Sequence, residues 1–139
     1  MDEPRRTLAQ QIADAARAFE RQRTGHGPES VTVVLSDDTL VITLHGALSP
    51  AERAMARSPD GAAQVQEFHR QLFANAAEPL RREIRRITGV EVREAAAEVE
   101  TTSGTLVTAF TTGTVVQVYL LADRVAREIW SDRKPAGGL

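Results

Sequence analysis

The stretch SVTVVLSDDTLVITLHG, residues 30–46, decides the fold class of this 139-residue chain. Apolar side chains recur at every second position in both of its halves, and the pair Asp37-Asp38 stands between them. This period-two pattern predicts two β-strands, and Asp residues between two such runs favour a turn. We therefore predict a β-hairpin, with Asp37-Asp38 as turn formers rather than metal ligands. The strand positions on the apolar side are Val31, Val33, Leu35, Leu40, Ile42 and Leu44.

A helix is predicted before this hairpin. From Leu8 to Phe19, apolar residues recur at helical spacing, and Pro4 suits a first helical turn. The helix ends in TGHGP, residues 24–28, because two glycines and a proline cannot continue it.

A second helix start follows the hairpin directly. Ser49 and Glu52 have the spacing of a capping box, and Pro50 suits the first helical position. The pattern predicts a short helix over residues 50–57, with Ser49 as the N-cap and not as a reactive serine.

A long helix is predicted from Ser58-Pro59 to Thr88-Gly89. Because its apolar stripe keeps one phase on both sides of Pro79, we expect one kinked helix, with two separate helices as the alternative. The expected stripe consists of Val65, Phe68, Leu72, Ala76, Leu80, Ile84 and Ile87.

The last third of the chain contains two strand-like runs, TLVTAFTTG and TVVQVYLL, with Gly104 and Gly113 at turns. A short helix follows, in which Val125 and Ile129 face inward, whereas residues 90–100 suit either a strand or a helix. The element order indicates an α+β fold with a mixed or antiparallel sheet and helices on one face. We expect one domain over residues 4–130 and a flexible tail over residues 131–139.

Composition excludes several classes of function. The 17 basic and 19 acidic residues nearly cancel, which is not the basic footprint of a nucleic-acid-binding protein. No apolar run approaches the ~20 residues of a spanning helix, so we expect no direct membrane insertion. The chain has no cysteine, which removes disulfides and thiolate chemistry.

No side-chain cluster predicts a reaction, so we expect neither catalytic residues, nor a metal, nor a cofactor. His26, His45 and His69 have no second ligand at helical spacing, and any metal site would have to be assembled by the fold. Glu94, Glu98 and Glu100 would share one side of a strand and suit a solvated face. The candidates for ligand binding are His26 and Gly27 in the glycine loop and Arg82 and Arg86 in the basic band 81–86, although a solvated helix face explains that band as well.

Three motifs in this order carry a family resemblance. Gly25, Gly27 and Pro28 form a Gly-x-Gly-Pro loop before the hairpin. Leu48, Ser49, Ala51 and Glu52 form a Leu-Ser-x-Ala-Glu motif after it, and Thr88-Gly89 closes the long helix. Over roughly residues 8–121 the chain resembles the MpsC family, small bacterial proteins described as a subunit of a sodium-translocating, membrane-potential-generating system.

The resemblance implies a non-enzymatic accessory or regulatory protein that works with a membrane cation or inorganic-carbon transport system. It implies a protein partner in that complex and a cytoplasmic location, peripheral to the inner face of the membrane. The alternative is a small-molecule or anion-binding module that uses the His26 loop or the arginine band. A homodimer is also expected, because a single helix layer leaves one sheet face or strand edge to be covered.

Overall fold

A computed structural model describes residues 6–93, 105–110 and 113–131 of the chain. The described helices and strands confirm the predicted α+β class. The second helix is two residues shorter than predicted. In chain order the elements are α1 (Leu8–Thr24), β1 (Ser30–Ser36), β2 (Thr39–His45), α2 (Pro50–Met55), α3 (Pro59–Thr88), β3 (Thr105–Ala109), β4 (Val115–Leu120) and α4 (Arg127–Ser131).

The four strands form one antiparallel sheet in the order β1-β2-β4-β3. The predicted hairpin joins β1 to β2, and its turn places Asp37 at a φ of 56°. Strand β2 pairs on its other side with β4, near the end of the chain, so that Ile42 lies opposite Gln117. Residues far apart in sequence therefore form the centre of the sheet.

Helices α1 and α3 contact the same face of the sheet and enclose one hydrophobic core. The predicted inward positions of β2 are fully buried, and Val125 and Ile129 near α4 pack on the same core as predicted. The largest fully buried side chains are Tyr119, Ile12, Leu40, Ile42, Leu44, Ile84, Leu121 and Val115.

The long helix α3 runs through Pro79 without interruption, which excludes the two-helix alternative. In the first half of this helix the predicted stripe was right at Val65, which is buried, and wrong at Phe68, which is 48% exposed. The buried positions there are Val65, His69 and Phe73, which follow one another at i, i+4 and i+8 on one side of a helix. Phe73 enters the core because its ring packs against Tyr119, 5.8 Å away between centroids.

Helices α1 and α3 end with the same local structure. Gly25 and Gly89 adopt left-handed conformations, with φ of 76° and 78°. In each case the preceding threonine, Thr24 or Thr88, donates its hydroxyl to the carbonyl four positions earlier at 2.8 Å. The same hydroxyl accepts the amide two positions later. These bonds confirm both predicted helix stops.

The segment that follows α3 pairs with the residue after β4, and the strand β3 pairs with β4 itself. Val92 forms a bridge with Leu121, and Thr105 pairs with Tyr119 two positions away. Residues 94–104 and 132–139 lie outside the described residues. The predictions for Glu94, Glu98, Glu100 and Gly104, for most of the strand-or-helix choice at 90–100, and for the tail fall on these segments.

The sheet face opposite the helices, which we name the open face, is uncharged. None of the four strands contains Asp, Glu, Lys or Arg, although these make up 26% of the whole chain. Valine and threonine make up most of the open face, and Val34 on the edge strand β1 is 53% exposed. The described side chains of the open face are Ser30, Thr32, Val34, Ser36, Thr39, Val41, Thr43, His45, Thr108, Val116, Val118 and Leu120.

Candidate functional site

Three ionisable side chains from three helices meet inside the fold. The imidazole of His69 on α3 is 3% exposed, and its Nε2 lies 2.7 Å from Oε2 of Glu52 on α2. Its Nδ1 lies 3.7 Å from Oε2 of Glu20 on α1. The side chains of Glu52 and Glu20 are only 14% and 11% exposed. Burying such groups is costly, which makes this Glu20–His69–Glu52 cluster the candidate functional site.

Glu52 has two structural partners, one for each oxygen of its carboxylate. Oε1 accepts the backbone N–H of Ser49 at 2.9 Å, while the Ser49 hydroxyl accepts the N–H of Glu52 at 3.2 Å. This is the capping box predicted from the sequence. Oε2 of the same carboxylate binds His69. The helix start of α2 therefore also attaches α2 to α3.

Glu20 lies in the last turn of α1, four residues before Thr24, whose hydroxyl bonds to the Glu20 carbonyl. Its Oε2 is buried and has no hydrogen-bond partner among the described residues. Tyr119 lies close enough for the Glu20 charge to act on its phenol, and the Tyr119 hydroxyl donates to Gln117 Oε1 at 2.7 Å. Both Tyr119 and Gln117 are buried. The cluster therefore adjoins the hydrophobic core rather than bulk water.

The two carboxyl groups titrate in opposite directions. Burial raises the pKa of Glu20 to about 7, and the negative charge of Glu52 adds to the rise. Burial also acts to raise the pKa of Glu52, but the bonds from Ser49 and His69 outweigh it and lower that pKa. Burial, and then the charge of Glu20, raise the pKa of Tyr119 well above its usual range. Glu52 is therefore the carboxylate at neutral pH, and Glu20 is the group that exchanges a proton.

The arrangement suits proton exchange better than metal binding. The two carboxylates face different nitrogens of one imidazole ring, so they do not converge on one ion. In the described ranges, no three His, Cys, Asp or Glu side chains are placed to hold a metal. The Ser49 hydroxyl is engaged in the cap of α2, so His69 has a carboxylate rather than a nucleophile on each side.

The predicted ligand residues lie in two separate places. In the glycine loop, His26 Nε2 lies 3.1 Å from the Gly46 carbonyl, to which it donates, and Gly27 packs near the Arg21 side chain. This contact fastens the loop to the end of β2. His45 Nε2 lies 3.0 Å from the Thr32 hydroxyl. Ligand binding by His26 and Gly27 stays a prediction.

The arginine band 81–86 has different partners along its length. Arg81 donates to the Val92 carbonyl at 2.8 Å, and Arg86 donates to Glu83 Oε1 at 3.1 Å. Arg82 is exposed. Arg86 is thus held by its own helix, and ligand binding by Arg82 and Arg86 also stays a prediction.

A groove that the sequence did not indicate lies between the hairpin turn and α4. Its volume is about 520 Å³, and Ser36 and Asp37 line it from the hairpin. Arg124, Arg127 and Trp130 line it from the C-terminal side. Arg124 Nε is 3.9 Å from Asp37 Oδ1, so one of the two cations is partly compensated.

Comparisons with known proteins agree with the family resemblance. A family model described as "Na+-translocating membrane potential-generating system (MpsC)" matches residues 4–114. The chain is also similar to the uncharacterized protein YbcI of Bacillus subtilis (strain 168), at 24% identity over 110 residues, which is 79% of this chain and 89% of YbcI. No solved structure matches it. None of the described helices is long and apolar enough to cross a membrane. Because the family model covers most of its length, the chain belongs to the MpsC family.

Proposed function

We propose that this protein is a non-enzymatic accessory or regulatory component of a membrane cation or inorganic-carbon transport system. It acts from the cytoplasm, at the inner face of the membrane, through contact with a protein of that system. The uncharged open face of the sheet is the observation that carries the proposal. The family's description, a Na⁺-translocating system that generates a membrane potential, supports the kind of partner.

The open face has the chemistry of a protein contact. The cores of protein interfaces are depleted in charged residues, and contiguous apolar surface on a small domain marks interaction sites. Edge strands usually carry charges that discourage pairing, yet β1 contains none. A partner that covers this face would bury mainly valine and threonine side chains and would desolvate no Asp, Glu, Lys or Arg of the four strands.

Co-purification from the native cell in mild detergent tests this proposal. We expect the tagged protein to recover transport subunits of the membrane, identified by mass spectrometry, and Val34→Glu to reduce that recovery at least tenfold. Val34 is half exposed, so the substitution places a charge on the open face without filling the core. Met55→Glu is the matched control, because Met55 is an exposed apolar residue on α2, away from this face.

Two results would contradict the proposal. One is recovery of the wild-type protein only as a free species. The other is equal recovery of transport subunits by the Val34 and Met55 variants, which would remove the open face from the contact. The molar mass from light scattering tests the expected homodimer. A dimeric wild type with a monomeric Val34→Glu variant would assign the open face to a second copy instead.

A second candidate, an anion-binding module, is favoured by the groove beside α4. Arg127 and Arg124 supply positive charge and Trp130 supplies an aromatic surface, which together suit a small anion with a planar group. In a thermal-shift screen of aromatic carboxylates and nucleotides, a ligand at 100 times its Kd adds about 2.7 kcal/mol of stability. Arg127→Gln should abolish that shift and Arg82→Gln should not; a shift that survives Arg127→Gln would exclude the groove.

A further inference from the structure

We propose that Glu20, Glu52 and His69 form a buried proton-binding site that couples the protonation of this protein to the packing of α1 against α3. The inference is independent of the proposed function, since it concerns the helix side of the sheet and not the open face. Its basis is the position of one imidazole between carboxylates from two other helices.

The geometry gives the site one exchangeable proton. Because the Glu52 carboxylate is an acceptor, His69 Nε2 carries a hydrogen and donates to it. The opposite nitrogen, Nδ1, faces Glu20 Oε2. A protonated Glu20 can donate its O–H to Nδ1 once the two atoms approach from 3.7 Å to hydrogen-bond distance.

Loss of that proton changes the contact between the helices. The Nδ1 lone pair then faces a buried carboxylate that has no hydrogen-bond donor among the described residues. An ionised carboxyl group in such surroundings lacks the solvation that water would supply. The 3.7 Å separation of Nδ1 and Oε2 is longer than a hydrogen bond. A proton on Glu20 therefore favours closer packing of α1 against α3, and loss of that proton favours their separation.

Neighbouring charges do not replace the missing proton. From α1, the site is faced by Glu20, and neither its Oε2 nor the buried Nε of Arg17, one turn earlier, has a hydrogen-bond partner in the described part of the chain. From α2 it is faced by Glu52, and from β4 by Tyr119, which stays neutral over the relevant pH range. The Glu52 carboxylate is paired with His69, and its negative charge disfavours a second negative charge on Glu20.

Hydrogen bonds connect the last turn of α1 to the loops that carry the two family motifs. The Glu20 carbonyl is held by Thr24, and the Thr24 hydroxyl accepts the backbone N–H of His26. His26 in turn bonds to Gly46, three residues before the Ser49 cap that holds Glu52. The bond of His26 to Gly46 thus links the Gly-x-Gly-Pro loop to the segment that leads into the Leu-Ser-x-Ala-Glu motif, and Thr24 joins that loop to the last turn of α1.

Two measurements on the full chain test the proposal. In a carbon-13 NMR titration of the glutamate carboxyl groups, we expect the Glu20 signal to change with a midpoint near pH 7, whereas an ordinary glutamate changes near pH 4.5. In amide hydrogen exchange, corrected for intrinsic rates, we expect the last turns of α1 to open about tenfold more often at pH 8 than at pH 6.

Glu20→Gln separates this coupling from a merely structural role. The amide keeps the size of the side chain but has no proton to release, so the ratio of α1 exchange between pH 8 and pH 6 should fall to one. Asp14→Asn, an exposed carboxyl group on the same helix, should leave the tenfold ratio unchanged. A Glu20 midpoint below pH 5 would overturn the proton-binding site. An α1 ratio of one in the wild type, or a tenfold ratio that persists in Glu20→Gln, would overturn the coupling.

Discussion

We expect His69→Met to lower the free energy of unfolding by about 3–5 kcal/mol at pH 7, the cost of breaking a buried ion pair by removing one partner. Met fills a similar volume but offers no donor, so Glu52 Oε2 loses its bond and Glu20 Oε2 loses the ring nitrogen that faces it. Urea unfolding followed by circular dichroism measures the loss.

His45→Met is the matched control for this experiment. His45 makes the same kind of ring contact, to the Thr32 hydroxyl, but in an exposed position. Its replacement should change stability by less than about 1 kcal/mol. The double variant Glu20→Met with His69→Met should regain part of the loss, because apolar groups replace one buried carboxyl group and its partner. Equal stability of His69→Met and His45→Met would show that the cluster contributes nothing.

The second large effect that we expect is a fall in stability as the pH rises through the neutral range. The folded pKa of Glu20 is about 7, against 4.5 for an ordinary glutamate. Between these values the unfolded chain has released the proton and the folded chain still holds it, so unfolding becomes easier with rising pH. The contribution is fully present below pH 4.5, is lost by the time the pH has passed 7, and amounts to on the order of 3 kcal/mol.

Glu52 contributes with the opposite sign in a different window. Because its folded pKa is lowered, its contribution is present above pH 4.5 and is lost as the pH falls through the folded pKa. Unfolding free energies at pH 5 and pH 8 therefore isolate Glu20. We expect the wild type to be more stable at pH 5 and Glu20→Gln to lose most of that difference, whereas a wild type equally stable at both pH values contradicts the expectation.

The elements that could be predicted from the sequence are those whose signals are local. The alternation around Asp37-Asp38 fixes a hairpin because strand side chains have a period of two. The spacing of Ser49 and Glu52 fixes a helix start, since a capping box needs only one turn of chain. The Thr-Gly pairs at residues 24–25 and 88–89 terminate helices for equally local reasons.

The cluster could not be predicted because its members lie on three elements, and the order of the strands and helices in space brings them together. One signal was nevertheless present. His69 lies four residues after Val65 and four before Phe73, on the side of α3 that faces the core. The predicted stripe included Phe68 in place of His69. It therefore did not indicate that His69 is buried.

The central position of β2 has a consequence for the synthesis of this protein. Leu44 pairs with Val115, so β2 acquires its second neighbour only after some seventy further residues have been made. A two-stranded hairpin is at best marginally stable by itself, and the β1–β2 hairpin must wait for β4 to complete the sheet. Long-range strand pairing is slow, so we infer that one backbone edge of β2 stays unpaired in the nascent chain until translation has passed Leu120. Until then this unpaired edge can pair with a strand of another chain, which is the hazard that any exposed edge strand presents.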